Sequence, residues 1–499
     1  MFIPSKKYFL DVIKDKGVLP VYEEIPYSSP CLIYEALSNR NSFLLESVKG
    51  HEKIARYSFI GFDPCLEFKV KNGFIKVRSS SEENATSNKP LHIMKILMKK
   101  YNQLPHEHLG PFQGGFVGIF SYDFVHYLER LPRNAADDLS LPDAHFLMID
   151  KFVAFDHVDK KSWIIVCPGV KDMIDIRSSD THIDWTEKYD EAEYEIERIH
   201  KRIQGYKLNN PVNDTIVPKR LQDRKMDIVY EMKKNVYVDI VKKTKEYIAA
   251  GDIFQANLSQ RVSAHLGGKD TWNLYKILRS INPSPFAAYV DFGDYKIVSS
   301  SPERLLRVKG KTIDTRPIAG TRPRGKDSRE DELMRTELLL NEKERAEHIM
   351  LIDLERNDLG RVSEYGSVRV DEMMITEDYS HVIHIVSNVL GNLSSEKDCF
   401  DAIKAAFPGG TITGVPKVRC MEIIDELEPV RRGPYTGSIG YMSFSDNMDL
   451  NIVIRTFVIK DDVAYVQAGA GIVADSDPER EYVETLKKAE ALIKTLEMV

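Results

Sequence analysis

Cysteine is scarce in this 499-residue chain, and none of it is paired in sequence. The five residues, Cys31, Cys65, Cys167, Cys399 and Cys420, are scattered without a CxxC spacing. That excludes a zinc ribbon, a thioredoxin-type redox motif and a disulfide scaffold. Thiols placed this way serve as small apolar residues in a reducing compartment, so a cytoplasmic location is expected. A surplus of positive charge is also missing. There are 69 Lys and Arg against 76 Asp and Glu, a formal net charge of −7. This argues against broad nucleic-acid or membrane binding, while leaving room for a local basic site facing an anionic substrate. No apolar run approaches membrane-spanning length, and MFIPSKKYFLDVIKDKG lacks a signal-peptide core. No internal repeat is visible.

What is present is the composition of a globular protein, 42% hydrophobic and 29% charged. The chain is too long for one ordinary core, so two domains or one large composite fold are expected. KLNNPVNDTIVPKRLQDRK (207–225) has two prolines, three asparagines and little apolar content. It reads as a linker, and gives an N-terminal region 1–206, a linker 207–226 and a second domain 227–499. Strand-like runs occur at 43–46, 66–70, 74–77, 144–156 and 162–166, with a polar surface loop at 79–89. Residues 184–206 read as an exposed charged helix. Residues 229–250 have helical spacing, with Gly251 as the C-cap. Further strands are expected at 286–291, 297–300, 382–390, 438–444, 451–459 and 464–468. Helices are expected at 330–355, 398–406, 416–427 and 478–497, the last opened by Asp477 as N-cap and Pro478. Strands and helices come in clusters without strict alternation. The expected class is therefore α+β, a large composite fold with mostly antiparallel sheets flanked by helices.

Two acidic patterns stand out. Glu344-Arg345-Ala346-Glu347 lies in a charged run, and Glu481-Tyr482-Val483-Glu484 follows the stretch Gly469-Ala470-Gly471. Carboxylates three residues apart share one helix face. A solvated face would carry the same residues, and Glu484 could simply pair with Lys488. Yet Glu347 precedes the apolar run HIMLIDL, and Glu484 sits one turn into a helix that follows a glycine stretch. Four such groups meeting across a cleft would suit Mg²⁺, a hard cation that keeps positions open for substrate oxygens.

Gly469-Ala470-Gly471 is either a loop whose amides approach a carboxylate or an ordinary turn. Thr411, in FPGGTITG (407–414), could offer its hydroxyl to an anion or cap a turn. The spacing is not that of a P-loop, because Val415-Pro416-Lys417 follows. Arg316, Arg322 and Arg324 form either an anion site or a solvated basic loop. His381 and His384 face opposite ways if the run is a strand. His384 is then either a satisfied core histidine or an acid/base beside a cleft.

Six segments occur in order: GDIFQANLSQR (251–261), SSPERLLRV (300–308), RPIAGTRPRG (316–325), EKERAEHIMLIDLERNDLGRV (342–362), FPGGTITGVPKVRCMEIIDELEP (407–429) and QAGAGIVADSDPEREYVET (467–485). Together they resemble the chorismate-utilising enzymes that share the anthranilate synthase component I fold. FLLESVKG (43–50) and ARYSFIGFDP (55–64) resemble that family's tryptophan-binding regulatory half.

The resemblance implies a chorismate site on Mg²⁺. Glu347 and Glu484 match the metal ligands, with Glu344 and Glu481 supporting them directly or through water. Gly320, Thr321, Thr411, Tyr435, Arg455, Lys488 and the backbone of Gly469, Ala470 and Gly471 match substrate-contacting positions. Glu303 matches the general acid for loss of the ring C4 hydroxyl, with His384 and Thr411 beside it in the catalytic set. Relatives that add water carry a lysine base where this chain has Gln255, so the resemblance favours ammonia as nucleophile. Two outcomes follow from it. One is anthranilate and pyruvate, on the tryptophan route. The other is 4-amino-4-deoxychorismate, on the folate route. Ala319 in PIAGT replaces a lysine found in many folate-route enzymes, and the LLES and RYSFIG segments favour the first outcome. FPGGTITG and YTGSIGYMSF (435–444) favour the second. Tryptophan feedback is implied through Ser47, Asn282, Pro283, Pro285, Phe286 and Ala287. No cysteine lies in the GxCxG setting of a glutaminase nucleophile, so a separate glutamine amidotransferase subunit is the implied source of ammonia.

Overall fold

A computed structural model describes residues 2–14, 16–79, 82–174, 183–210, 226–378 and 382–499. Two 12-stranded sheets make its frame, and every strand pairing within them is antiparallel. The first sheet runs from Val21–Ile25 at one edge, through Ser42–Glu46, Phe286–Asp291 and Tyr295–Ser301, to Val463–Ile472 and Gln255–His265. The second runs from Ile318–Pro323 and Val382–Asn392, through Ser438–Ser443 and Gly115–Phe120, to Glu82–Thr86. Helices pack on these sheets, in agreement with the α+β reading. Both sheets cross the 207–226 division of the sequence. Ser42–Glu46 pairs with Phe286–Asp291, and Gly115–Phe120 pairs with Ser438–Ser443. Most of the linker assignment, at 211–225, lies outside the described residues, as does His381. No described helix is long and apolar enough to cross a membrane.

Several expected elements divide where the chain passes from one sheet to the other. The 144–156 run is two buried strands, Ala144–Ile149 in the second sheet and Lys151–Asp156 in the first, broken at Asp150. The 451–459 run divides in the same way. Met448–Asn451 belongs to the second sheet and Thr456–Lys460 to the first, with Arg455 at φ +52° in the crossing. Residues 330–355 hold two helices, Ser328–Leu340 and Glu342–Gly360. Asn341 separates them and caps the second, its side chain accepting from the Glu344 amide at 3.0 Å. Val229–Tyr230 is a short strand, and the helix that follows is Lys234–Ala249. Gly251, at φ +83°, ends it as expected. Within the expected loop at 79–89, Glu82–Thr86 forms an edge strand, and residues 80 and 81 lie outside the described set. The Trp185–Asn209 helix is charged outside but buries a stripe that includes Tyr189, Ile196 and Ile203.

Candidate active site

The acidic patterns fall in the first two turns of two helices, Glu342–Gly360 and Pro478–Met498. Lys488 links them to the rest of the site. Its Nζ donates to the Gly469 carbonyl at 3.0 Å and pairs with Glu484 at 2.9 Å. Its charge also acts on Glu303, Glu347 and Glu481. The i,i+4 pairing of Glu484 with Lys488 is thus present, and the same lysine also stands within electrostatic reach of three further carboxyls.

Gly469, Ala470 and Gly471 are not in a loop. They lie inside the Val463–Ile472 strand, opposite Ser259, Leu258 and Asn257. Small residues are required there by crowding. A Cβ on Gly469 would stand 2.5 Å from Asn257 Oδ1, and one on Gly471 would stand 2.4 Å from Gln255 Nε2. Gln255 in turn donates to Glu347 Oε1 at 2.9 Å. Its own Oε1 is buried without a partner.

Glu303 sits between the strands Tyr295–Ser301 and Arg304–Lys309, with only 6% of its surface exposed. Burial pushes its pKa up to about 7. Hydrogen bonds from Thr411 and the Ile318 backbone, and the charge of Lys488, offset part of that rise. Thr411 Oγ1 donates to Glu303 Oε1 at 2.9 Å. At neutral pH the group therefore carries its proton much of the time, as a general acid requires.

His384 lies on Val382–Asn392, opposite Thr321 on Ile318–Pro323. Its Nδ1 is 3.2 Å from the Gly320 carbonyl and 3.0 Å from Thr321 Oγ1. A carbonyl can only accept, so Nδ1 carries the hydrogen and Nε2 the lone pair. Burial pushes the pKa down to about 4, against the raising effect of the Gly320 carbonyl and with a smaller lowering from Arg455. The imidazole is neutral at physiological pH and suited to accept a proton. Gly320 itself is at φ +63°, and a Cβ there would lie 2.7 Å from Glu344 Oε2.

Arg455 holds the Lys488 carbonyl through Nη1, and its own carbonyl accepts from the Ser300 amide at 3.1 Å. Tyr435 is buried beneath the Arg432 guanidinium, 5.6 Å from the ring centre. Burial raises its phenol above the usual range.

Mg²⁺ is usually held by one or two carboxylates together with waters and substrate oxygens. The donor set fits that pattern. Burial raises the pKa of both Glu347 and Glu481, and a second carboxylate on the same helix, Glu344 or Glu484, raises each further. A cation would relieve this concentration of negative charge. Among the described residues no three acidic, histidine or cysteine side chains stand close enough to share an ion. Substrate and water oxygens would have to complete the coordination.

The three arginines of 316–324 are each paired with carboxylates, which speaks against an anion site, and of the three only Arg324 is exposed as in a solvated loop. Arg316 is 8% exposed and pairs with Glu372 and Glu377. Arg322 pairs with Glu337 and Glu344, and Arg324 with Asp331. The residues that the resemblance assigns to a tryptophan pocket gather at the join of the two chain halves. Ala287 pairs with Glu46 in the sheet, and Ser47 Oγ donates to the Tyr57 carbonyl at 2.8 Å and the Pro285 carbonyl at 3.2 Å. The Asn282 carbonyl accepts from Ser300 Oγ, Phe286 lies 5.2 Å beneath Arg304, and Pro283 is in the same connection.

The profile of the chorismate binding enzyme family matches residues 40–494. Anthranilate synthase component 1 of Acetivibrio thermocellus is 43% identical, over 100% of this chain and 99% of its own length. Aminodeoxychorismate synthase component 1 of Bacillus subtilis is 42% identical, over 96% of this chain and 97% of its own. The crystal structure of anthranilate synthase component I from Streptococcus pneumoniae superposes with a TM-score of 0.74. It is 34% identical and covers 94% of this chain and 99% of that one.

Proposed function

The chain belongs to the chorismate-binding enzyme family, and from that premise we propose that it is the large subunit of an anthranilate synthase, a lyase that converts chorismate and ammonia to anthranilate and pyruvate. The observation that carries this reading is the divergence of two groups, one buried and one half-buried. Glu303 is held up near neutrality and His384 is held down to about 4. A titratable pair pushed apart in this way assigns an acid and a base.

Loss of the C4 hydroxyl needs a proton, and Glu303 supplies it as water departs. Thr411 fixes the carboxyl through its hydrogen bond. Gln255 cannot deprotonate water, whereas ammonia attacks without a base. After amination at C2, the ring C2 proton must leave as pyruvate is eliminated. His384 Nε2 takes it, because Nδ1–H is pinned to the Gly320 carbonyl. Lys488, Arg455, Tyr435 and the Gly469–Gly471 strand would orient the substrate carboxylates. Glu347 and Glu484 would hold Mg²⁺, with Glu344 and Glu481 supporting, and the ion would supply charge neutralisation at a substrate carboxylate.

All five cysteines are buried, which accords with ammonia coming from a separate glutamine amidotransferase subunit and with a cytoplasmic location. The family resemblance carries the proposal of tryptophan as a feedback effector at the join where Ser47 meets Pro285. Inhibition of turnover by added tryptophan, lost in Ser47→Ala, is the check on it.

Purified chain incubated with chorismate, Mg²⁺ and an ammonium salt tests the main reading. Fluorescent anthranilate accumulating without a lyase supports it. The similarity to the Bacillus subtilis enzyme favours a second reading, aminodeoxychorismate synthase. A non-aromatic amino product that needs a lyase to give 4-aminobenzoate would establish that one instead.

A further inference from the structure

A buried arginine that contacts none of the assigned catalytic side chains through its guanidinium nitrogens ties together the backbone around them. Arg432 is 4% exposed. A guanidinium has five N–H groups in a rigid planar fork. Here all five have acceptors. Nε donates to Glu428 Oε2 at 2.9 Å and one Nη2 hydrogen to Glu428 Oε1 at 2.7 Å. The other Nη2 hydrogen goes to the Asn257 carbonyl at 2.6 Å. The two on Nη1 go to the Ile412 carbonyl at 2.9 Å and Thr436 Oγ1 at 3.2 Å.

A simple buried ion pair would use only the two bonds to Glu428. The remaining three reach three separate segments, two of which, the 410–415 turn and the Gln255–His265 strand, also pair through their backbones. Ile412 follows Thr411, which holds Glu303. Thr436 follows Tyr435, sits at φ +59° and donates to the Tyr435 carbonyl at 2.6 Å. Asn257 lies between Gln255 and Ser259, opposite Gly471. Glu428 extends the same network, accepting from the amide and hydroxyl of Ser259, each at 2.8 Å. The faces of the guanidinium are covered by Tyr122 at 4.9 Å and Tyr435 at 5.6 Å.

We propose that Arg432 is a positioning residue for the reaction, fixing the Thr411 turn, the Tyr435 turn and the Gln255–Ser259 strand in one geometry through its three bonds to Ile412, Thr436 and Asn257. The proposal rests on the reading of this site as a chorismate site. Lysine keeps the charge against Glu428 but offers its donors from a single point, so it cannot span three separate acceptors. Arg432→Lys is therefore expected to fold and to lose kcat about 100-fold, the order that a displacement of about 1 Å costs. The KM for chorismate changes less than kcat. Arg432→Ala is expected to recover turnover with millimolar guanidinium, and not with sodium chloride at equal ionic strength.

The parent is assayed first, with thermal melts of each variant as the folding control. A parent that leaves chorismate untouched overturns both the reading and the proposal. An active parent with Arg432→Lys within a few-fold of it overturns the proposal alone. If Arg432→Lys does not fold, Arg432→Ala decides. Activity returning with guanidinium supports positioning. No return, whether or not the chain folds, reduces Arg432 to a structural staple.

Discussion

Thr411 Oγ1 stands 2.9 Å from Glu303 Oε1 and donates to it, on a carboxyl whose pKa burial has raised to about 7. A donor stabilises the ionised form, so this bond restrains the rise. Thr411→Val removes it. Activity depends on the protonated acid and falls as pH rises through its pKa. The alkaline limb of kcat/KM is therefore expected near pH 7 in the parent and at higher pH in the variant. A pH profile of chorismate turnover checks this, and a limb moving to lower pH contradicts the assignment.

The same raised pKa links stability to pH. A carboxyl raised in the folded state contributes stability that is present below its unfolded value of 4.5 and lost as pH rises through about 7. Glu303→Gln should therefore be inactive, yet more stable than the parent at pH 8 to 9, by up to about 3 kcal/mol. At pH 4 the two should melt alike. Melts across that range test the sign.

His384 is assigned as a neutral base with Nδ1 pinned to Gly320 and Nε2 reactive. Asparagine places an N–H where Nδ1 was and leaves nothing at Nε2. His384→Asn should keep its fold and lose about 10²- to 10⁴-fold in kcat, the usual worth of a general base. The base should titrate near pH 4, so no histidine limb is expected between pH 5 and 9. Such a limb in the parent profile would show that burial does not hold the imidazole neutral.

The periodic features of the site were legible in the sequence. Two carboxylates three apart in Glu-rich, helix-favouring segments placed Glu344, Glu347, Glu481 and Glu484 correctly on helices. The Gly469–Gly471 segment was misread as a loop, because glycine and alanine have little strand propensity. Only pairing with Gln255–His265 makes them a strand. The crossings at Asp150 and at 452–455 were also missed. Asp150-Lys151 and Arg455 interrupt the apolar runs, but a lone charged position between buried strands does not by itself say that the chain changes sheets. Arg316, Arg322 and Arg324 read as either an anion site or a solvated loop because their acidic partners lie up to 61 residues away. Arg432 was not singled out: its pairing with Glu428, four residues away, looks like an ordinary helix-end ion pair, and the bonds that reach other segments go to Ile412 and Asn257, far off in sequence.

Gly320 holds φ +63° against Glu344 and Leu338, with no space for a Cβ. Gly320→Ala should cost about 1–2 kcal/mol from backbone strain alone. The methyl must also displace the Glu344 carboxylate, whose other oxygen, Oε1, accepts from Arg322 at 3.1 Å. Because the Gly320 carbonyl orients His384, activity should fall further than the loss of stability explains. Turnover measured well below the melting temperature separates the two effects. Full activity in a folded Gly320→Ala would show that the Gly320 carbonyl does not orient His384.

The acidic pair on the first helix gives a test that does not depend on turnover. Glu347 is half-buried and repelled by Glu344, with Gln255 Nε2 donating to it. Its pKa is raised, so its ionised form is a cost that grows as pH rises through the folded value. Glu347→Gln removes that cost and should melt at or above the parent temperature at pH 8. A cation bound by the folded state adds stability by mass action. Millimolar Mg²⁺ should therefore raise the melting temperature of the parent, and chelation should reverse the shift. The same titration should move Glu347→Gln far less, and that variant should be inactive. An equal Mg²⁺ shift in both proteins, or full activity in Glu347→Gln, would take this carboxylate out of the metal site. The helix of Glu481 and Glu484 would then have to hold the ion without it.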